Sequence, residues 1–88
     1  GNAKYTLQDY ESAIDDYSKV IELDPQNKAA YFNRGNAKCH LENYKGAIDD
    51  YSKLIELDPH YKDALSCRST AYELLSNLEL IKILKNKG

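Results

Sequence analysis

In "AIDDYSKVIEL" the apolar residues Ala13, Ile14, Tyr17, Val20 and Ile21 fall three and four positions apart, while Asp15, Asp16, Ser18, Lys19 and Glu22 take the positions between. That spacing gathers the apolar side chains on one side of an α-helix, so the segment is expected to be amphipathic with one buried stripe. Nearly the same letters return as "AIDDYSKLIEL" at residues 47–57. Asp15 precedes Lys19, and Asp49 precedes Lys53, by the four residues that favour a weak surface ion pair along a helix. Those carboxylates thereby have a structural explanation and are not read as catalytic.

Both copies run into "LDP". Proline disfavours the α conformation in the residue before it and has no N–H for the next backbone bond, so each helix is expected to end at Asp24 or Asp58. A second helix is expected over "KAAYFNRGNAKCHL", residues 28–41. Asp9 and Asn43, each just before a Tyr and a new apolar stripe, are the expected N-caps of the other helix. The unit therefore reads helix, short turn, helix, short turn.

Residues 1–26 laid over residues 35–60 agree at 18 of 26 positions, with a constant offset of 34 residues and no gap. A period of this size marks an array of stacked helical units. Gly35, Ala37 and Ala47 stand where the two helices of a unit should meet, with Tyr31, Tyr44 and Tyr51 filling the space beside them. One hairpin cannot hide both apolar faces of its helices, whereas a stacked neighbour can.

These residues resemble a tetratricopeptide repeat. Residues 28–61 carry Tyr31, Gly35, Ala47, Tyr51 and Pro59 at that family's spacing, with Arg34 and Lys38 where its pattern has Leu and Tyr. The resemblance implies an all-α, right-handed superhelical solenoid of antiparallel hairpins in a single domain of about two and a half repeats. Residues 1–27 would be a truncated first repeat, 28–61 a complete second, and 62–88 a degenerate third repeat or C-terminal cap. In that last unit "KDALSCRSTAYELL" fits a first helix, Ser76-Asn77 is the expected turn because both are weak helix formers, and "LELIKILKNK" is a shortened second helix; the alternative is one longer capping helix over residues 62–86. Ile81 would then fall at the tight contact that Ala13 and Ala47 occupy, and its bulk should splay the helix.

The resemblance also implies a concave groove lined by the first helix of each unit and suited to a peptide. Its lining would be Asn2, Tyr5 and Thr6, then Phe32, Asn33, Asn36, Cys39 and His40, then Asp63, Ser66, Cys67 and Thr70. Tyr5 and Phe32 offer flat apolar contacts, and Asn2, Asn33 and Asn36 can hydrogen-bond a peptide backbone. Family members that clamp the acidic tails of heat-shock chaperones are similar in Asn2 and Asn33. Where they place a basic pair in the third unit, however, this chain has Asp63 and Cys67, and Asp63 would repel a carboxylate. A protein or peptide partner is expected, but not such a tail.

Composition narrows the partners. A net charge of −2 with 30% charged residues leaves no basic stripe for nucleic acid or an acidic membrane. No segment approaches the roughly 18 consecutive apolar residues of a membrane span. Cys39 and Cys67 do not form a disulfide framework and lack the spacing of zinc ligands; six residues out of step on neighbouring helices, they are expected to remain thiols. A reducing, cytoplasmic setting follows. No phosphate loop, nucleophile elbow or carboxylate pair is found, so no enzyme activity, cofactor or metal is expected.

The C-terminal stretch is strongly apolar. Leu74, Leu78 and Ile81 share one helical stripe, while Leu80 and Leu84 share another, and only one stripe can face the preceding unit. The apolar surface left over, with Leu78, Leu80, Ile81 and Leu84 as candidate contacts, suggests homo-oligomerisation, an alternative to peptide capture; a non-catalytic appendage of a larger enzyme is another. The tetrapeptide "GNAK" opens the chain and returns at residues 35–38, seven residues into a unit that starts at Lys28. The first copy is therefore expected to be a cut inside a repeat of a longer array.

Overall fold

The computed structural model describes residues 7–87, which form four helices: α1 (Leu7–Leu23), α2 (Lys28–His40), α3 (Tyr44–Leu57) and α4 (Ala64–Lys87). Asn2, Tyr5, Thr6 and the opening "GNAK" lie outside the described residues. Each helix packs on its neighbour in the chain, giving the all-α stack that the repeat implies.

The turns repeat as faithfully as the letters. At both "LDP" segments the Asp side chain accepts from the backbone two residues on: Gln26 N–H donates to Asp24 Oδ1 at 3.3 Å and His60 N–H to Asp58 Oδ1 at 3.1 Å. Each Asp side chain thus satisfies the first N–H that follows the proline. Asn27 caps α2 by accepting from Ala30 N–H at 3.0 Å, and Asn43 caps α3 by accepting from Gly46 N–H at 3.1 Å. Between α2 and α3, Glu42 adopts a left-handed backbone (φ 62°), and Asn43 N–H returns to Lys38 O at 2.8 Å.

Three expectations need correction. Asp9 is not an N-cap: α1 already includes Leu7, so Asp9 lies within the helix. The last unit begins its helix at Ala64 and not at Lys62, because Tyr61 stands where Asn27 supplied the cap and Asp63 takes a left-handed conformation (φ 68°). Most consequentially, Ser76-Asn77 is not a turn. The helix α4 runs through it for 24 residues. Ser and Asn cost only about 0.5 kcal/mol each relative to Ala in a helix interior, and no Gly or Pro accompanies them. Packing of the flanking Leu75 and Leu78 outweighs that cost: Leu75 sits on the central core, and both line a hollow with Asn43, Tyr44 and Lys45 at the start of α3. With no second helix in this unit, Ile81 never reaches a tight contact and is half exposed.

The core forms where α3 meets its neighbours. Ala47, Ile48, Tyr51 and Ala71 make one buried cluster, and Tyr31, Leu54 and Ala64 make another. Gly35 and Ala47 are buried where α2 meets α3, as their size requires, whereas Ala37 is buried on the side of α2 that faces α1. Neither Asp15–Lys19 nor Asp49–Lys53 is among the ion pairs of the described residues; the pairs formed instead join separate helices.

Candidate functional site

Because α2 and α4 both pack against α3, they stand as two walls with α3 beneath. The hollow between them has a volume of about 440 Å³. Phe32, Asn36, Cys39 and His40 line it from α2; Ser66, Cys67, Thr70 and Leu74 line it from α4; Asp63 stands at its rim and Tyr51 of α3 forms part of its floor. Every groove residue expected from the second and third units is therefore gathered here, except Asn33.

Tyr51 ties this floor together. Its ring is buried beneath Gly35, and its hydroxyl donates to Asn36 Oδ1 while lying 3.7 Å from Cys39 Sγ. Cys67 reaches the same hydroxyl from the opposite wall. Burial pushes the Tyr51 phenol well above its ordinary value and raises both thiols, since an anion here would lose its hydration. The two cysteines are free thiols. With its oxygen engaged by Tyr51, the Asn36 amide is left with its N–H groups as donors.

A smaller hollow of about 200 Å³ continues on the other side of His40, between Asp9, Tyr10, Ala13 and Tyr17 of α1 and Asn33, Asn36, Ala37 and His40 of α2. Asn33 belongs here. The His40 ring stacks on Tyr10, centroids 4.5 Å apart and nearly parallel, so a single ridge divides the two hollows. Phe32 has a double role: one part lines the larger hollow while its ring packs against Tyr51 and Tyr61, centroids 6.2 and 5.5 Å away.

Away from the groove, α2 carries a feature that unit-by-unit reading missed. Asp50 is buried, and Arg34 holds it with two bonds, Nε to Oδ2 at 2.9 Å and Nη2 to Oδ1 at 2.6 Å, while Lys38 Nζ approaches Oδ2 at 3.1 Å. Arg34 also donates to Ser18 Oγ of α1 at 3.0 Å, so one guanidinium links three helices. Its pairing with Asp50 raises the Arg34 pKa, which keeps the cation fixed. Arg34 and Lys38, which depart from the family pattern, are thus a matched pair around one carboxylate. The signal was present in the sequence: Arg68 and Ser52 stand 34 residues beyond Arg34 and Ser18 and make the same contact at 3.4 Å.

Beyond Leu74 the α4 surface is apolar and open. Leu80 is 54% exposed, Ile81 49%, Ile83 54% and Leu84 61%, whereas Leu78 is half-buried against the start of α3. The expected stripe of Leu74, Leu78 and Ile81 therefore divides: Leu78 packs and Ile81 does not. Among the described residues, no group of three or more His, Cys, Asp or Glu side chains could hold a metal ion, and no helix is long and apolar enough to cross a membrane.

Comparison with protein families gives two matches. A model described as TPR repeat covers residues 1–39, and one described as Tetratricopeptide repeat covers residues 29–67. Among curated proteins no match is found.

Proposed function

This chain belongs to the tetratricopeptide-repeat family, and from that premise we propose that it is an interaction module that captures a peptide segment of a protein partner in the groove between α2 and α4. Repeats of this family mediate protein–protein interaction. The observation that carries the finer reading is the convergence of Phe32, Asn36, His40, Asp63, Cys67 and Thr70 on one hollow large enough for a side chain and its backbone. An apolar side chain would enter between Phe32 and Leu74, and the Asn36 amide would bond the partner's backbone. Chemistry is limited to capture, with no turnover.

Selection of a displayed random-peptide library on the chain tests this. Peptides that bind the native chain are expected to lose at least tenfold in affinity for Thr70→Arg, whose exposed position lets the longer side chain fill the groove without disturbing the core. Selected peptides that bind both proteins equally would show that the groove is not their site.

A second reading rests on a different observation, the exposed Leu80, Ile81, Ile83 and Leu84. Apolar surface of this extent on one helix favours association with another chain, here a second copy. Sedimentation at increasing concentration should then show a mass above the monomer that Leu80→Glu with Leu84→Glu restores to monomer. A monomeric native chain at all concentrations removes this reading and leaves the groove untouched.

A further inference from the structure

The charges that line the groove are one-sided. Among the described residues that line the larger hollow, Asp63 is the sole carboxylate and no Lys or Arg accompanies it. The Lys and Arg side chains of α2 are committed elsewhere: Lys28 is bound to Asp58, and Arg34 and Lys38 lie on the opposite side of that helix from Asn36 and are bound to Asp50. On α4, Arg68 is directed to Ser52. None of the ion pairs of the described residues involves Asp63, which is exposed at the rim. Its left-handed backbone, φ 68°, sets it at the head of α4, where its carbonyl accepts from Cys67 N–H at 2.8 Å. The carboxylate is near enough to Cys67 to help raise that thiol, so its field reaches the wall of the hollow. Beside it the hollow offers Phe32, Cys67 and Leu74 as apolar surface.

We propose that the groove selects a partner segment with a lysine or arginine beside an apolar residue, Asp63 receiving the cation while Phe32, Cys67 and Leu74 receive the apolar side chain. This rests on the reading of the groove as a peptide site and adds the chemistry of the peptide. Charge complementarity of this kind sets partner choice more than raw affinity, because an acidic segment meets repulsion at the rim while a neutral one is merely indifferent.

The test uses three acetylated, amidated dodecapeptides that share a central Leu-Phe pair and differ only in flanking Lys, Gln or Glu residues. Fluorescence anisotropy with the native chain should rank them Lys, Gln, Glu, with the Lys peptide roughly threefold tighter than the Gln peptide, as suits a rim-exposed ion pair. Asp63→Asn removes the charge and keeps a residue that tolerates the left-handed backbone, and should abolish the Lys-over-Gln preference. Asp49→Asn, the same change of net charge on the exposed side of α3, should leave the ranking in place. Equal binding of the Lys and Gln peptides, or a ranking that survives Asp63→Asn, overturns the inference while the peptide groove stands. Failure of all three peptides to bind at millimolar concentration overturns the peptide groove itself, and this inference with it.

Discussion

The ring of Tyr51 lies against the bare α-carbon of Gly35. A β-carbon on Gly35 would stand 2.8 Å from Tyr51 Cε1 and 3.1 Å from Cδ1 and Cζ. The ring is 1% exposed and packed against Ala47, Ile48 and Ala71, so it cannot swing aside as a surface chain would. Gly35→Ala should therefore lower stability by about 1–2 kcal/mol in urea unfolding, overpacking outweighing the roughly 1 kcal/mol that Ala gains in helix propensity. A stabilised variant would show that the two helices can part at no cost.

What the repeat made legible and what it hid follow from the range of the interactions. Helix positions, the stops at Asp24 and Asp58, the Asn43 cap and the small residues at the crossing are local or periodic, and could be read from letters 34 apart. Groove residues Phe32, Asn36, His40, Asp63, Cys67 and Thr70 could be placed because the repeat fixes which helix face looks inward. Asn33 turned to the neighbouring hollow, a matter of one step around α2. The Asp50 cluster was hidden because its partners lie 12 and 16 residues away, and because Asp16, the same letter in the same place one unit earlier, is exposed. Ser76-Asn77 misled for the opposite reason: a local preference for a turn was overruled by Leu75 and Leu78 packing on α3.

Asp50→Ala should strip Arg34 and Lys38 of their shared carboxylate and leave two cations in a site where each side chain is 18% exposed. Removing one partner of a buried pair strands the rest, so a loss of about 3 kcal/mol is expected in urea unfolding. Arg34→Met with Lys38→Met and Asp50→Leu, which removes all three charges together, should cost less than Asp50→Ala. The comparison of the two midpoints decides whether stranded charge or lost packing dominates.

Alkaline pH should weaken the fold. Cys39, Cys67 and Tyr51 all hold their protons more tightly when folded, because burial disfavours each anion. A raised folded pKa stabilises fully below the unfolded value and loses that contribution as pH rises, so the loss begins near the ordinary thiol value of about 8.5. The urea midpoint should fall between pH 8 and pH 10, and Cys39→Ala with Cys67→Ala should flatten the first part of that fall. Alkylation of the folded native chain at pH 8 should be slower than that of the urea-unfolded chain, measured by mass shift over time.

The continuity of α4 makes its own prediction. Ser76 and Asn77 are exposed within a helix, so replacing both with Ala should stabilise the chain by about 1 kcal/mol in thermal unfolding and leave the far-ultraviolet dichroism of the folded state unchanged. A loss of stability on making that change would place a turn there.

An unbroken α4 has a mechanical meaning. Residues 64–75 form one wall of the groove, and the next 12 residues carry the same helix on by ~18 Å, the side chains of residues 76–86 largely in solvent. A helix transmits tilt along its length. A load applied at Leu80 or Leu84 acts as a torque about the α3 contact, the same contact of Ala64, Ala71 and Leu75 that sets where Thr70 and Leu74 stand.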